Sequence, residues 1–406
     1  MGLIIGLDLC DAYTQLSCYE KETSWTFPTI ICRSKNEEEW YVGKDAYACN
    51  LVGNGVLVDK LLNLVSRDGT ATIDGVKYEA LRLLELYMDR VLKIPVQEFG
   101  EEEIDQLVVT LPGLERKVMD SFLYCADYLG IAREKVHIIS HEESFVYYIL
   151  NQKKEVWRSQ VGMFDLSADR LSYYELKVQR GLQKMMVVAE SEILEESFDP
   201  DILATSSGAK LADKILCSCG ERLLEHKLFS TIVLSGKGFE KQDWAPEFIK
   251  MICRRRKVYA ENALFAKGAA FRGADYLQGS GKHSFTCICE GRLKSTVSME
   301  ILYKEKKTQL VIAGAGENWY ECRTAMDFLM DENKNIEFMI TPMDPKKKRK
   351  VSISLREFPD RPAWTTRLQV SIGFLNESTM AVAIRDKGFG DLFPASDVVV
   401  RQEVRL

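Results

Sequence analysis

Short apolar runs separated by turn residues open the chain. "GLIIGLDL", "TQLSCYEK" and "SWTFPTIICR" each have the β-rich composition of a strand, which predicts a β-meander. "EEEWYVGKDAYACNLVG" continues with a short strand and then a helix. In "YEALRLLELYMDRVLKI" the apolar residues Leu81, Leu84, Tyr87, Met88 and Val91 recur at helical spacing, and the helix is predicted to stop before Pro95. "IDQLVVTLPG" reads as a buried strand ending at Pro112 and Gly113. A helix from about Glu115 to Leu129, closed by Gly130, follows it; "KVHIIS" is a further strand and "EESFVYYIL" starts a helix.

The pattern then restarts. "QVGMFDLSADRLSYYELKV" is strand, tight turn, strand, as at the start of the chain, so that Asp8 and Asp165 end the first strands of two similar hairpins. A helix within "SSGAKLADKILCSCGERLLEH", a buried strand in "STIVLSGKGF" and a helix in "AENALFAKGAAFRGADYL" complete the second half. Gly268 in the middle of that last helix predicts close packing there. The two halves look like an internal duplication of a strand-rich α/β unit, with a ligand cleft expected between them. From about Gly279 the character changes. "QGSGKH" has the composition of a linker, and nearly everything after it is short strands between turns, the pattern of an all-β sandwich.

Composition narrows the function classes. The 46% apolar content of the 406 residues suits a folded protein with a sizeable core. A net charge of −6 argues against a nucleic-acid partner. No apolar stretch is long enough for a membrane span, and no basic leader or cleavage site opens the chain, so a cytoplasmic location is expected. Eleven scattered cysteines read as reduced thiols. Cys217/Cys219 and Cys287/Cys289 are paired by spacing, and a strand would put the second pair on one face. With four histidines, small apolar packing is the expected role of both pairs. His141, beside Glu142 and Glu143, is expected to be structural or at the surface rather than catalytic. "PKKKRKV", Pro345 to Val351, reads as an exposed hairpin tip between two strands, and "RRRK", Arg254 to Lys257, as a solvated turn.

Several stretches together resemble the superfamily of actin, sugar kinases and DnaK-type heat-shock chaperones, the chaperones most of all. "GLDLCDAYTQLS" and "MFDLSADRLSYYEL" are similar to the two phosphate hairpins. "VTLPGLERKVMDSFLYCADYLGI" and "HIISHEESFVYYIL" resemble the connecting segments, "IVLSGKGF" the adenosine motif and "NALFAKGAAF" the closing helix. "FPDRPAWTTRLQVSIGFLNESTMAVAIRDKGFG" is similar to late strands of the chaperones' peptide-binding β-domain. The resemblance implies an α/β fold: an actin-like, duplicated, two-lobed ATPase-type domain over 1–277, with lobes of about 1–158 and 159–277. A linker at 278–284 and a β-sandwich over 285–406 follow, without a helical lid.

It also implies a site. Asp8 and Asp165 match the carboxylates that orient metal-bound water around ATP or ADP with Mg. Lys60 matches the catalytic lysine, and Glu142 or Glu143 the connecting-motif glutamate. Cys10, Asp11, Ala12 and Tyr13 form the first phosphate loop and Ser167, Ala168, Asp169 and Arg170 the second, with Gly236, Lys237 and Gly238 near the adenosine. The loops depart from the family, because glycines and hydroxyls that let backbone N–H groups reach phosphate are replaced. Asp11 and Asp169 would stand beside a polyanion, and two charges about 4 Å apart interact at about 4 kcal/mol at an effective dielectric near 20. Three functions stay open: a chaperone-like protein that binds a peptide or protein client with weak or absent ATP hydrolysis; a dead pseudo-ATPase scaffold whose cleft is plugged, for instance by Arg170 against Asp11 or Asp169; and an actin-like filament or oligomer subunit.

Overall fold

The computed structural model describes residues 2–35, 39–100, 103–167, 170–180, 185–278, 285–332, 334–343 and 345–406. The expected linker glycines 279 and 281, and the site residues Ala168 and Asp169, lie outside them. The chain divides into two compact units, Met1–Phe285 and Thr286–Leu406. The first is mixed α/β and the second is all-β.

In the first unit, β1 (Leu3–Leu9), β2 (Tyr13–Cys18) and β3 (Thr23–Pro28) form the expected antiparallel meander. The run "SWTFPTIICR" is two strands, not one. Pro28 closes β3, and the chain leaves for a small separate sheet of β4 (Ile31–Ser34), β5 (Trp40–Val42) and β6 (Gly55–Val58), covered by α1 (Gly43–Leu51). Proline cannot donate to a ladder, so a strand ends there without loss. Next come α2 (Leu61–Ser66) and a hairpin of β7 (Thr70–Ile73) and β8 (Val76–Glu79). Helix α3 (Ala80–Phe99) corrects the expected stop before Pro95, because it runs through that residue to Gly100. Its buried stripe of Tyr87, Val91, Leu92 and Pro95 offsets the hydrogen bond that proline removes. β9 (Ile104–Leu111), α4 (Arg116–Tyr128), β10 (Val136–Ser140) and α5 (His141–Leu150) complete this half.

The second half is built the same way. β11 (Gln160–Ser167), β12 (Arg170–Arg180) and β13 (Met185–Ile193) form an antiparallel meander. α6 (Ser206–Leu224), β14 (Phe229–Ser235), α7 (Pro246–Ile252), β15 (Lys257–Ala260) and α8 (Leu264–Gln278) follow. The first large sheet has the order β10-β9-β1-β2-β3, and the second contains β15-β14-β11-β12-β13. In both, the central strand has an antiparallel neighbour on one side and a parallel one on the other. Asp8 stands opposite Thr110 in the first sheet and Asp165 opposite Ser235 in the second.

Helix α8 crosses both β1 and α5 at very short range. A Cβ on Gly268 would lie 2.0 Å from the Ser144 carbonyl oxygen, and one on Gly6 would lie 2.0 Å from that of Ala266. Both positions require glycine, and Gly268 does mark the close packing that its place in the helix predicts.

The short strand β16 (Phe285–Ile288) lies at the division between the two units. Two four-stranded sheets follow. One is made of β17 (Ser295–Tyr303), β18 (Lys306–Ala313), β20 (Asn335–Pro342) and β21 (Arg349–Ser354), in the order β18-β17-β20-β21. The other is made of β19 (Thr324–Leu329), β22 (Arg367–Asn376), β23 (Thr379–Asp386) and β24 (Val399–Arg405), in the order β19-β22-β23-β24. Leu368, Val370 and Ile372 of β22 alternate inward to meet Phe338 and Ile340 of β20, so the two sheets form a sandwich around one core. Lys346 to Lys350 are exposed around the β20–β21 turn, the hairpin tip that the sequence predicts. Among the described residues no helix is long and apolar enough to cross a membrane.

Candidate functional site

The apolar run of β1 carries a carboxylate, Asp8, into full burial. A buried charge needs a partner. Asp8 has one in His141, whose Nε2 lies 2.8 Å from its Oδ1. His141 is the first residue of α5. Ser140 caps that helix by accepting from the Glu143 N–H at 3.2 Å, and the imidazole stacks on Phe265 with ring centroids 3.8 Å apart. Cap, stack and carboxylate together fix the ring. The N-terminus of α5 also adds its positive dipole end to a neighbourhood that contains several acids. The other oxygen of Asp8, Oδ2, is buried with no hydrogen-bond partner among the described residues.

Asp165 occupies the matching place on β11 and is buried as well. It accepts from Ser167 Oγ at 3.0 Å. Burial pushes its carboxyl up to about 6, against the hydrogen bond from Ser167, the charge of His141 and the hydroxyl of Ser235, while Asp8 pushes it further up. Thus Asp8, His141 and Asp165 share one electrostatic neighbourhood, drawn from β1, α5 and β11.

Tyr13 links the two hairpins. Its hydroxyl donates to Ser167 Oγ at 3.4 Å, a contact across 154 residues of chain. Burial, and then the charge of Asp8, hold the phenol well above its ordinary value, so it stays protonated as a donor. Cys10 sits in the same turn, its Sγ 3.3 Å from the Tyr13 carbonyl oxygen. Burial pushes the thiol up to about 12, with Asp8 adding to the shift. A thiol so protonated is not a nucleophile near neutral pH. Tyr174, buried on β12, feels Asp165 and Glu142, and its phenol is likewise raised by burial.

The remaining expected residues have other duties. Asp11 does not face Arg170: its Oδ1 accepts from the N–H groups of Leu62 at 2.9 Å and Asn63 at 3.2 Å, and so caps α2. The plug of Arg170 against Asp11 is therefore corrected, and Arg170 itself is exposed. Ala12 is exposed, and its carbonyl accepts from Thr29 N–H at 3.3 Å. Lys60 is exposed and left-handed (φ 53°) just before α2. Glu142 accepts from Ser191 Oγ at 2.7 Å, whereas Glu143 lies 3.3 Å from the Arg272 guanidinium. Gly236 (φ 90°) and Gly238 are packed on β11: added Cβ atoms would lie 2.5 Å from the Leu166 carbonyl oxygen and 2.3 Å from its side chain. Lys237 between them is exposed. Cys287 and Cys289 are buried with sulfurs 3.6 Å apart, and no group of three or more His, Cys, Asp or Glu among the described residues could hold a metal.

The structure thus gathers Asp8, Cys10, Tyr13, Asp165 and Ser167 into one cluster, with Gly236 packed against the Ser167 hydroxyl, and leaves Asp11 and Lys60 out of it. It adds His141, which the sequence reading ranked as structural or surface. The one signal pointing to His141 was its position just after a Ser cap, at the head of the helix that follows a buried strand.

No curated protein matches the chain. Residues 292–406 match a domain of unknown function, DUF8552. Residues 12–290, most of the α/β unit and more than half of the chain, match the profile described as the family of unknown function (DUF5716) C-terminal, and the chain belongs to that family.

Proposed function

We propose that this protein is a non-catalytic relative of the actin, sugar kinase and heat-shock chaperone fold. In this reading the α/β unit is a rigid two-lobed scaffold, and the β-sandwich engages a peptide or protein partner. The repeated order of the two large sheets, with an aspartate at the end of each central strand, supports the duplicated actin-like architecture. One observation carries the loss of catalysis. The Tyr13 hydroxyl meets Ser167 and so joins the two turns that resemble the family's phosphate hairpins.

The residues present do not fit a nucleotide and its Mg²⁺. Asp8 already holds an imidazole, and Cys10 and Ala12 put Cβ atoms where a phosphate cradle needs bare backbone. The glycines that would approach adenosine are spent on packing against Leu166. What the cluster does instead is join the two halves of the unit through the Tyr13–Ser167 hydrogen bond.

Phosphate release from ATP tests this reading. The purified full chain with Mg-ATP should release phosphate at the rate of the buffer blank, and Asp165→Asn should change nothing. Hydrolysis above the blank that Asp165→Asn abolishes would refute it.

A further inference from the structure

The β17–β20 ladder of the sandwich stops early. Ser295 to Met299 pair with Pro342 to Phe338, and the ladder ends there although both strands continue. The next pair in register would set Glu300 opposite Glu337, and like charges directly opposite destabilise a sheet. Each glutamate instead takes a lysine from its outer neighbour: Lys307 at 2.8 Å from Glu300, and Lys350 at 2.5 Å from Glu337. The ladder is not continued beyond that point, and residues of both strands line a cavity of about 560 Å³ there.

Its lining includes core side chains, Phe338, Leu355 and Leu368 among them, while Leu302, Leu329 and Trp364 expose large apolar surface at its mouth. Trp364 has φ 67°, and its N–H is tied to the Met330 carbonyl oxygen at 2.8 Å. A bulky residue in the left-handed region is a strained outlier, of the kind that clusters at ligand clamps. Beside the cavity stands the basic turn of Lys346 to Lys350, from which Lys348 and Lys350 line the rim.

We propose that this cleft receives an extended polypeptide segment, inserted as a strand between β17 and β20, with a large apolar side chain in the cavity and acidic residues flanking it. Strand insertion supplies the backbone hydrogen bonds that the two strands do not give each other there, and the cavity supplies side-chain selection. The charge of the hairpin tip selects the acidic flank. This rests on the partner-binding role proposed above and gives it a place and a chemistry.

The test uses the full chain and two labelled peptides that share the core Leu-Val-Phe-Val-Leu, one flanked by glutamates and the other by lysines, read by fluorescence anisotropy. The acidic peptide should bind at least about ten-fold more tightly, with the difference shrinking in added salt. Glu337→Thr removes the like-charge conflict and supplies a β-branched residue, so the ladder should close. Hydrogen exchange at Glu300 to Leu302 should slow, the unfolding temperature should hold or rise, and affinity should fall about ten-fold or more. If the acidic peptide binds Glu337→Thr as tightly as the parent chain, the site assignment fails while the partner-binding role stands. Equal affinity for both peptides overturns the charge selection. If neither peptide binds the parent chain, the partner-binding role itself fails.

Discussion

Asp165 is ionised at neutral pH at a cost to the fold, because burial raises its pKa to about 6 from an ordinary value of 3.8. The folded state therefore holds this proton more tightly than the unfolded chain. The group lowers stability as pH rises from about 4 to 6, and the penalty is complete above 6. A shift of that size corresponds to roughly 3 kcal/mol. Asp165→Asn keeps an acceptor for Ser167 and removes the charge. It should raise the unfolding free energy by about 1–3 kcal/mol at pH 7, and leave it nearly unchanged at pH 3.5. Denaturant unfolding of the two proteins at both pH values checks this, and an equal difference at the two would show that the charge is not the cause. The carboxylates themselves were legible in the sequence, since an aspartate that ends an apolar run stands out twice. His141 was not, because its partner Asp8 is 133 residues away and only the folded sheet order brings β1 and α5 together.

At the scale of elements, the loop that resembles a phosphate grip works as a helix cap. α2 is short, and its first N–H groups would lack partners without the Asp11 carboxylate. Asp11→Ala should destabilise the fold by about 1 kcal/mol, and Asp11→Asn should restore part of the loss, as chemical denaturation would report. An unchanged midpoint in Asp11→Ala would show that the cap is not needed. Strand and helix positions followed well from periodicity, since apolar spacing is a local property. The misjudged boundaries were those set by tertiary packing. Proline predicts a helix stop, yet α3 passes through Pro95 because the buried face on both sides of it continues. The duty of Asp11 is another such case. Nothing local distinguishes an aspartate that repels a ligand from one that caps a helix 51 residues away.

At the scale of the whole molecule, the mixed α/β unit and the β-sandwich could both be read from the change of pattern near residue 279, because alternation and helical spacing differ in period. The early end of the β17–β20 ladder could not, since it depends on which strands become neighbours and so on which charges come face to face. Within the α/β unit, the proposed loss of catalysis turns on a single contact between two hairpins, Tyr13 against Ser167, backed by the Asp8–His141 pair. A ligand that binds only the folded state must raise its stability in proportion to the logarithm of its concentration over Kd. The most direct measurement is therefore the thermal unfolding midpoint of the full chain with and without millimolar Mg-ATP or Mg-ADP. No shift with either nucleotide is the predicted result; a rise of several degrees that grows with nucleotide concentration would contradict it.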